Sequence, residues 1–471
     1  MRFVRTTALL ASVAAGAALA GTVRAVAEPG PGWGPCPGNA EVQCATVTVP
    51  VDWARPGGDT IDIAIARRAA AHPMGTLFYL PGGPGNSGVD RLLRSDPVPP
   101  ELASRFDVVS FDPRGTNRSN PVVCDADLVA NAPDANPEGG ATFASIAAYS
   151  RALGESCRAH TGSLVDHVDS VSVARDVDAI RSALGVSQLS LYGRSYGTLA
   201  EQMYAERFPS RVRAVVLDSV FDHSLTAARF LSTEAATGED AFGEFASWCA
   251  ATRSCVVPGR DARAVYDGLY RRAVAGTLHD PSGRLVRPME LVSRTVNFFY
   301  EPSWPEAAEY LRSLASPVSL RAAVAPFPLA AFCADHRVSV SSEREWLSLW
   351  QRQKHAAPTL RSHFAWLPVS VCAAWPAEVA NPQHRLRIDM PVLVLNSRHD
   401  PATAYTWARN VTRQLPRGVL LTYDGWGHGV MDRSDCTRTA TTRYLIDLKL
   451  PRPGTHCAAV PPNAPAQKSA W

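Results

Sequence analysis

The sequence predicts an α/β fold in which a mostly parallel central sheet is flanked by helices, and two observations lead to this. First, short apolar runs at residues 76–83, 106–115, 189–195 and 212–220 have Gly, Asp or Ser at or near their ends. Continuous apolar runs are typical of strands buried on both faces, as in a parallel sheet covered by helices. Second, the stretch 171–185 between two of these runs has the apolar periodicity of a helix and stops at a glycine.

Further strand-like segments lie on either side of this region. Two β-rich runs at 45–53 and 60–70 are separated by an Arg-Pro-Gly-Gly turn, which predicts a hairpin. Two more apolar runs follow much later, at 390–400 and 418–428. We expect these later runs to belong to the same sheet, because they too end in polar residues and glycines.

The strand-helix rhythm is lost between residues 221 and 384, a segment that holds six of the eleven tryptophans. We expect 221–384 to be a largely helical lid or cap. It would be inserted into a core made of residues 28–220 and 385–471, the second part carrying a C-terminal disulfide segment. Ligands of open α/β sheets bind at the carboxyl ends of the strands, and an insertion at this point of the chain could cover them.

Residues 1–27 have the pattern of an export signal. Two arginines precede an apolar run at 8–20, and cleavage after Ala27 fits a small-x-small site, with Ala20 as the alternative. The run is shorter than the roughly 20 residues of a membrane span, and no later run reaches that length. We therefore expect a secreted, extracellular protein without a membrane anchor.

Charge and composition argue against several classes of partner. Without the three arginines of residues 1–27, the 47 basic residues fall to 44, which equals the 44 acidic ones, so nothing favours nucleic acid. The sequence has no CxxC and no histidine spacing that completes a zinc site, so we expect neither a metal nor a cofactor. We expect a monomer that acts on a peptide or a small-molecule substrate.

Ten cysteines in an exported chain predict a disulfide framework. The sequence alone does not fix the connectivity, but short loops cost the least entropy to close, so we expect nearest neighbours to pair. The expected bonds are Cys36–Cys44, Cys124–Cys157, Cys249–Cys255, Cys333–Cys372 and Cys436–Cys457.

Residues 193–197 form a G-x-S-x-G motif that follows an apolar strand and precedes a helix at 198–208. This strand-turn-helix context is that of a nucleophile elbow, in which a strained turn exposes the serine. The flanking glycines let neighbouring backbone approach without a clash. We expect Ser195 to be a catalytic nucleophile. The alternative is a Gly-Ser turn without chemistry.

A serine nucleophile needs a base, and the base needs an acceptor that fixes its tautomer. In this type of fold the three groups follow in the order serine, acid, histidine. Asp400 ends the run at 390–400, and His428 follows the next run in a glycine-rich loop. We expect these two residues to complete a triad. His399 is the competing base, but it adjoins the acid on the same loop and leaves it no separate strand to reach from.

Stabilisation of the tetrahedral oxyanion is usually the largest single contribution to such catalysis. The glycine-rich segment 80–88 follows an earlier strand and could supply one donor. We expect the amide of Gly83, or failing that Gly82, to act together with the amide of Tyr196, the residue after the nucleophile. The alternative is a plain Gly-Pro turn.

Several motifs together resemble the prolyl aminopeptidase group of α/β hydrolases: PGGPG, DPRGTNRS, GRSYGT, HDPAT and GHG, at 81–85, 112–119, 193–198, 399–403 and 427–429. The chain is more closely similar to the secreted tripeptidyl aminopeptidases of actinobacteria, through VTVPVDW, FCAD and LPRPGTHC at 47–53, 332–335 and 450–457. The resemblance covers nearly the whole mature chain. It implies the α/β-hydrolase fold, the triad Ser195, Asp400 and His428, and oxyanion donors from Gly83 and Tyr196.

The same resemblance implies that an acid holds the α-ammonium of the substrate, since a buried cation requires a partner. Asp335, beside Cys333, and Asp218, at the end of a central strand, are the candidates. Glu201 could also point towards the site, although we favour a surface ion pair with an arginine. Glu201 and Gln202 stand where the family often has a Leu-Gly pair.

The function that these features favour is an aminopeptidase that releases short peptides, such as tripeptides, from free N-termini through an acyl-enzyme on Ser195. The same triad would also serve a secreted esterase, lactonase or amidase that acts on a small natural product, because fold and triad do not choose between these reactions. A binding protein on an inactive hydrolase scaffold is a third class. It is disfavoured because the sequence keeps every catalytic element.

Overall fold

The computed structural model describes residues 30–314 and 328–462, so the predicted signal at 1–27 lies outside the described residues. Within these residues ten strands form a single sheet. The strands are β1 (Gly34–Cys36), β2 (Asn39–Pro50), β3 (Thr60–Arg68), β4 (Thr76–Leu80), β5 (Asp107–Phe111), β6 (Leu189–Arg194), β7 (Val212–Asp218), β8 (Val392–His399), β9 (Gly418–Trp426) and β10 (His456–Cys457).

The strand order is β1-β2-β3-β5-β4-β6-β7-β8-β9-β10. The pairs from β1 to β5 are antiparallel, and the predicted hairpin is β2–β3, where Val47 faces Ile63. All strands from β5 to β10 in this order are parallel. The prediction of a mostly parallel sheet is therefore confirmed, and the carboxyl ends of its central strands meet at one edge, which we call the carboxyl edge.

Neighbouring residues of the central strands pack on opposite faces of the sheet. In β4, Phe78 and Leu80 belong to one apolar cluster, while Leu77 and Tyr79 belong to another. All four are buried. Burying an apolar side chain of this size stabilises the fold by roughly 1.5–3 kcal/mol, so both faces favour apolar residues. This is why these strands appear in the sequence as uninterrupted apolar runs.

The helices are α1 (Gly88–Arg94), α2 (Pro100–Ala103), α3 (Ala126–Ala130), α4 (Phe143–Thr161), α5 (Ser170–Ala183), α6 (Gly197–Arg207), α7 (Ala227–Ala251), α8 (Ala262–Val274), α9 (Pro288–Asn297), α10 (Trp304–Ser313), α11 (Leu329–Asp335), α12 (Glu343–Ala356), α13 (Trp366–Cys372), α14 (Tyr405–Gln414) and α15 (Asp435–Asp447). Between β7 and β8 the described residues form α7–α13 and one isolated bridge. None of the helices described here is both long and apolar enough to cross a lipid bilayer.

Helix α5 shows how local sequence sets an element beside the site. The Asp169 side chain accepts hydrogen bonds from the amides of Val171 and Ser172 and so caps its start. Its apolar stripe, which includes Val177 and Ile180, is buried against the sheet cluster. The helix ends just before Gly185, whose positive φ of 68° is the conformation that a glycine adopts without strain.

Five disulfides occur in the described residues: Cys36–Cys44, Cys124–Cys157, Cys249–Cys255, Cys333–Cys372 and Cys436–Cys457. Each links sequence neighbours among the cysteines, and no described cysteine is free. The bond from Cys333 joins α11 to α13 within the helical segment. The bond from Cys436 joins the first turn of α15 to β10.

A buried ion pair fastens the antiparallel part of the sheet to α5. The Arg114 guanidinium contacts both carboxylate oxygens of Asp176, and neither side chain is exposed to solvent. Arg114 also donates to the carbonyl oxygens of Pro50, Val51 and His167, so its donors are satisfied by the protein. The pair therefore joins the end of β2, the loop after β5 and the middle of α5.

We predict that Arg114→Met lowers the free energy of unfolding by about 3–5 kcal/mol, because it leaves Asp176 buried without its counter-charge. Thermal and urea unfolding measure the change. The control is Arg312→Ala, which removes an exposed ion pair with Glu309 on α10 and should leave stability unchanged. Equal stability of the two variants would contradict a structural role for the buried pair.

Candidate active site

Ser195 occupies a tight turn between β6 and α6 at the carboxyl edge. Its φ of 57° lies in the left-handed region that non-glycine residues seldom adopt. Two hydrogen bonds hold the turn: the Ser195 amide donates to Asp218 O at 3.0 Å, and the Thr198 amide donates to Ser195 O at 2.9 Å. The geometry is that of a nucleophile elbow, with the hydroxyl presented above the sheet.

Three glycines leave the space that this turn requires. A Cβ on Gly197 would lie 2.2 Å from Leu80 O, and a Cβ on Gly82 would lie 3.0 Å from Ser195 Cβ. A Cβ on Gly193 would lie 2.2 Å from an oxygen of Glu201. The elbow, the loop after β4 and helix α6 therefore pack closer together than side chains would permit.

His428 and Asp400 form a buried pair at the ends of β9 and β8. His428 Nδ1 lies 3.0 Å from Asp400 Oδ1 and 3.1 Å from Oδ2. The other ring nitrogen, Nε2, is buried and has no hydrogen-bond partner among the described residues. A base in this arrangement has one nitrogen fixed by a carboxylate and the other available for proton transfer.

Asp400 is held as a carboxylate by its surroundings. It accepts hydrogen bonds from the amides of Ala402 and Thr403 and from the hydroxyls of Thr403 and Ser219. Burial by itself acts to raise its pKa, but the charge and hydrogen bond of His428, together with the two amides, hold the pKa below its usual value. The residue is therefore suited to orienting the imidazole.

The end of β7 fixes the loop that carries His428. The Asp218 carboxylate accepts hydrogen bonds from the amides of Val430 and Met431 and from the Tyr192 hydroxyl. The Ser219 hydroxyl accepts a hydrogen bond from the Gly429 amide at 2.7 Å while it donates to Asp400. Ser219 also has a positive φ, 54°.

The segment Tyr300–Glu301, which follows α9, completes the surroundings of the imidazole. The His428 amide donates to Tyr300 O at 2.8 Å, and the Tyr300 ring packs edge-on against the imidazole at 4.7 Å between centroids. Arg433 forms two hydrogen bonds to Glu301, and the Arg194 guanidinium donates to His428 O. The segment after α9 and Arg194 at the end of β6 therefore both position the histidine.

Two cavities meet at Ser195. The apolar cavity has a volume of about 210 Å³ and is lined by Gly83, Pro84, Ser195, Tyr196, Phe221, Phe230, Glu234, Tyr300, Leu329, Phe332, Phe364, Ala365, Pro368, Ala402, Thr403 and Trp407. The polar cavity has a volume of about 640 Å³ and is lined by Tyr79, Pro81, Gly82, Gly83, Gly85, Asn86, Ser87, Asp90, Arg91, Arg94, Asn117, Arg194, Ser195, Asn297, Tyr300 and His428.

The residues predicted to supply oxyanion donors lie at this junction. Gly83 lines both cavities, and Tyr196 lines the apolar one. Gly82 faces the nucleophile directly, since a Cβ there would lie 3.6 Å from Ser195 Oγ. Donation from the amides of Gly83 and Tyr196 to a reacting oxygen stays a prediction.

The structure corrects the expectation that Asp335 or Asp218 binds the amine of a substrate, because neither lines either cavity and both already accept several hydrogen bonds from the protein. Asp335 accepts hydrogen bonds from the amide and hydroxyl of Ser170, the Tyr196 hydroxyl and the Asn381 amide group. Burial, followed by the nearby charge of Asp169, raises its pKa to about 7. Its contact with the Tyr196 hydroxyl at 2.6 Å fixes a ring beside the nucleophile.

The expected surface ion pair of Glu201 is also wrong. Its side chain is fully buried beneath the elbow, and Oε1 accepts a hydrogen bond from the Val216 amide. Burial raises its pKa well above the usual value. The elbow helix α6 is covered on most sides, so its sequence gave no apolar stripe from which the buried position could be inferred.

The competing base, His399, is placed away from both cavities. Its Nδ1 lies 2.7 Å from Asp240 on α7, and its ring stacks on Trp426. It stands in the last position of β8, so its side chain does not share the direction of Asp400, the next residue. The structure pairs His428 with Asp400, places Ser195 and His428 on the same cavity, and leaves His399 outside that cavity.

Glu234 is the functional candidate that the sequence analysis missed. It lies on α7 with its carboxyl group buried at the apolar cavity, and its Oε2 has no hydrogen-bond partner in the described part of the chain. The other oxygen lies 3.2 Å from His363 Nδ1. Glu234 could have been found from its spacing, since it follows Phe230 by four residues and so lies on the same buried face of the helix.

Comparisons with known proteins find similarity to two peptidases and to a protein named as an esterase. A family profile described as "TAP-like protein" matches residues 357–457. The serine protease Hip1 of Mycobacterium tuberculosis is 30% identical, over 90% of this chain and 90% of its own. The tripeptidyl aminopeptidase of Streptomyces lividans is 28% identical, over 88% and 84%. A protein named carboxylesterase B, also from Mycobacterium tuberculosis, is 30% identical, over 88% and 86%.

We predict that Gly197→Ala lowers kcat/KM about a hundredfold, because the new methyl group pushes the elbow away from the loop after β4. Hydrolysis of a chromogenic tripeptide amide measures the loss. The matched control is Gly268→Ala on α8, where a Cβ meets nothing within 4 Å. Activity of Gly197→Ala equal to that of this control would show that the close packing does not hold the nucleophile.

Proposed function

This chain belongs to the TAP-like family of α/β-hydrolase serine peptidases, and we propose that it is secreted and releases tripeptides from free N-termini. The observation that carries the proposal is Glu234. A buried carboxylate with an unpartnered oxygen is costly unless a ligand supplies a cation, and this one lines a cavity that also contains the nucleophile. The α-ammonium of a peptide is such a cation.

In the proposed reaction, Ser195 Oγ attacks the carbonyl carbon of the third residue while His428 Nε2 takes the hydroxyl proton. The amides of Gly83 and Tyr196 stabilise the oxyanion, each by roughly 3–4 kcal/mol. Collapse of the intermediate breaks the C–N bond, and the imidazolium gives its proton to the leaving amine. Water then attacks the acyl-enzyme with His428 as the base, which frees the tripeptide and restores the serine.

The size of the apolar cavity supports a short acyl group. Its volume of about 210 Å³ lies below the ~300–1,000 Å³ of typical ligand pockets, which favours a small group over a long peptide. Its aromatic lining, which includes Phe230, Phe332 and Trp407, favours apolar side chains. The Streptomyces relative, whose name specifies a tripeptide, supports the same length.

We propose that the segment 221–384 acts as the cap over this site. Glu234, Tyr300 and Phe364 all come from it and all line the apolar cavity. A cap that closes one end of the cavity would limit the length of peptide that enters. The proposed export rests on the five disulfides, which persist in oxidising compartments, and on the signal pattern at 1–27.

An esterase or amidase is the second candidate, favoured by the similarity to the protein named carboxylesterase B and by the apolar lining of the cavity. A substrate panel separates the two functions. It contains aminoacyl, tripeptidyl and N-acetylated tripeptidyl chromogenic amides beside simple esters. Preference for the free tripeptidyl amide supports the peptidase, and preference for esters over both amides supports the esterase.

We predict that Ser195→Ala abolishes both hydrolysis and labelling by a fluorophosphonate while the melting temperature stays nearly the same, because the hydroxyl contributes chemistry and little packing. His428→Ala should lose activity to a similar extent, since losses within a triad are not additive. Mass spectrometry of the labelled protein gives the readout. Covalent labelling of the Ser195→Ala variant would contradict the assignment of the nucleophile.

We predict that Glu234→Gln lowers kcat/KM for a free tripeptidyl amide about thirtyfold or more, the equivalent of ~2 kcal/mol, because the substrate's ammonium then lacks its counter-charge. The N-acetylated substrate has no such charge and should be affected far less. The control is Glu306→Gln, the same substitution at an exposed position of α10 that lines neither cavity. Equal losses for the free and acetylated substrates would rule out Glu234 as the amine-binding group.

A further inference from the structure

The polar cavity lies on the leaving-group side of the nucleophile. His428, which must give its proton to the departing amine, lines the polar cavity and not the apolar one. Glu234, the proposed partner of the N-terminal ammonium, lines only the apolar cavity. On the proposed function, the acyl portion of a peptide therefore occupies the apolar cavity, and the peptide that leaves extends into the polar cavity.

The charges that line the polar cavity are predominantly positive. Its arginines are Arg91, Arg94 and Arg194, and its one carboxylate among the described residues is Asp90. The charge of Asp90 is countered from outside the cavity by Arg118, at 2.6 Å. The charge of Arg194 is partly countered by Glu301, at 3.8 Å. The surplus is therefore positive.

Arg94 contributes to the positive charge of the polar cavity without a counter-charge among the described residues. It lies at the end of α1, its side chain is exposed, and it has neither a hydrogen bond nor an ion pair with residues 30–314 or 328–462. Two neutral residues that line the cavity, Asn86 and Asn117, carry amide groups that can donate hydrogen bonds as well, and one donor of Asn117 is already bonded to Gly85 O. A guanidinium with free donors in such a setting suits a carboxylate, which it can bind through two parallel hydrogen bonds.

We propose that the polar cavity selects leaving peptides that carry a carboxylate close to the scissile bond and that Arg94 is a specificity-determining residue for this preference. The inference rests on the proposed function, since it takes the leaving group to be a peptide. The carboxylate can be an acidic side chain at the first or second residue of the leaving peptide, or its C-terminal carboxylate when that peptide is short. These sources share one chemistry and differ in position.

The test compares kcat/KM for one free tripeptide joined to different leaving dipeptides. The neutral reference is an alanyl-alanine amide. The anionic arms are alanyl-alanine with a free carboxylate and amides with aspartate at the first or the second position, and a lysine arm reverses the charge. Exposed ion pairs contribute up to about fivefold, so the wild type should favour the best anionic arm over the neutral one by roughly two- to fivefold.

The variants act on the ratio of anionic to neutral kcat/KM, which is internal to each protein and insensitive to the fraction that is folded. Arg94→Gln should bring the ratio close to one, Arg94→Glu should invert it, and Arg94→Lys should keep most of it. The control Arg271→Gln removes an exposed charge on α8 that lines neither cavity, and its ratio should equal that of the wild type. High salt should reduce the wild-type ratio, because screening weakens exposed charges.

A wild-type ratio of one in every arm, or a ratio that Arg94→Gln leaves unchanged, overturns the inference while the tripeptidyl activity stands. Failure to cleave any of the peptides after the third residue is a different result, which contradicts the proposed function. In that case the same comparison is made on esters whose alcohol carries either a carboxylate or its amide. A preference for the carboxylate that Arg94→Gln removes supports the charge selection, and equal rates refute it.

Discussion

The left-handed conformation of Ser195 is the constraint on which the rest of the site depends. A serine at a φ of 57° is unfavourable by itself and persists only where the surroundings determine it. Here the surroundings are backbone: the carbonyl of Leu80 comes so close to Gly197 that a Cβ would lie 2.2 Å from it. Glycines at 82, 193 and 197 are therefore required by the packing, because they let the loop after β4, the end of β6 and the start of α6 lie close to the Ser195 hydroxyl.

The end of β7 holds the loop that carries His428 in place. Asp218 receives two amides of the loop that carries His428, and the adjacent Ser219 links Asp400 to the Gly429 amide. The Asp218 carbonyl also receives the amide of Ser195. One strand end thus connects the Ser195 turn, Asp400 and the histidine loop, and this explains why Asp218 serves to position the site.

The parallel sheet, and the places of Ser195, Asp400 and His428 at the ends of its strands, could be predicted from the sequence because both depend on local signals. Strands buried on two faces require continuous apolar runs, and a nucleophile elbow requires glycines at fixed offsets from the serine. The position of Asp400 and His428 then follows from the order of the strands. These features recur wherever the backbone has the same path.

The acid that we propose for binding the substrate's amine could not be predicted in the same way. The sequence positions of Asp335 and Asp218 suggested contact with a ligand, but their carboxylates accept hydrogen bonds from residues remote in sequence, such as Ser170 and Val430, and neither lines a cavity beside Ser195. Glu201 is buried because the elbow helix is covered on most sides. Glu234 becomes a candidate only when α7 folds over the sheet and leaves one of its oxygens unpartnered at a cavity.

The mass of the acyl group that Ser195 carries during turnover tests the proposed tripeptidyl acyl-enzyme most directly. The protein is mixed with equal amounts of dipeptidyl, tripeptidyl and tetrapeptidyl p-nitrophenyl esters with free amines, quenched in acid and digested. We expect a tripeptidyl adduct as the main species on the peptide that contains Ser195. An adduct on another residue would contradict the assigned nucleophile, and equal adducts of all three lengths would contradict a cavity that sets the length from Glu234.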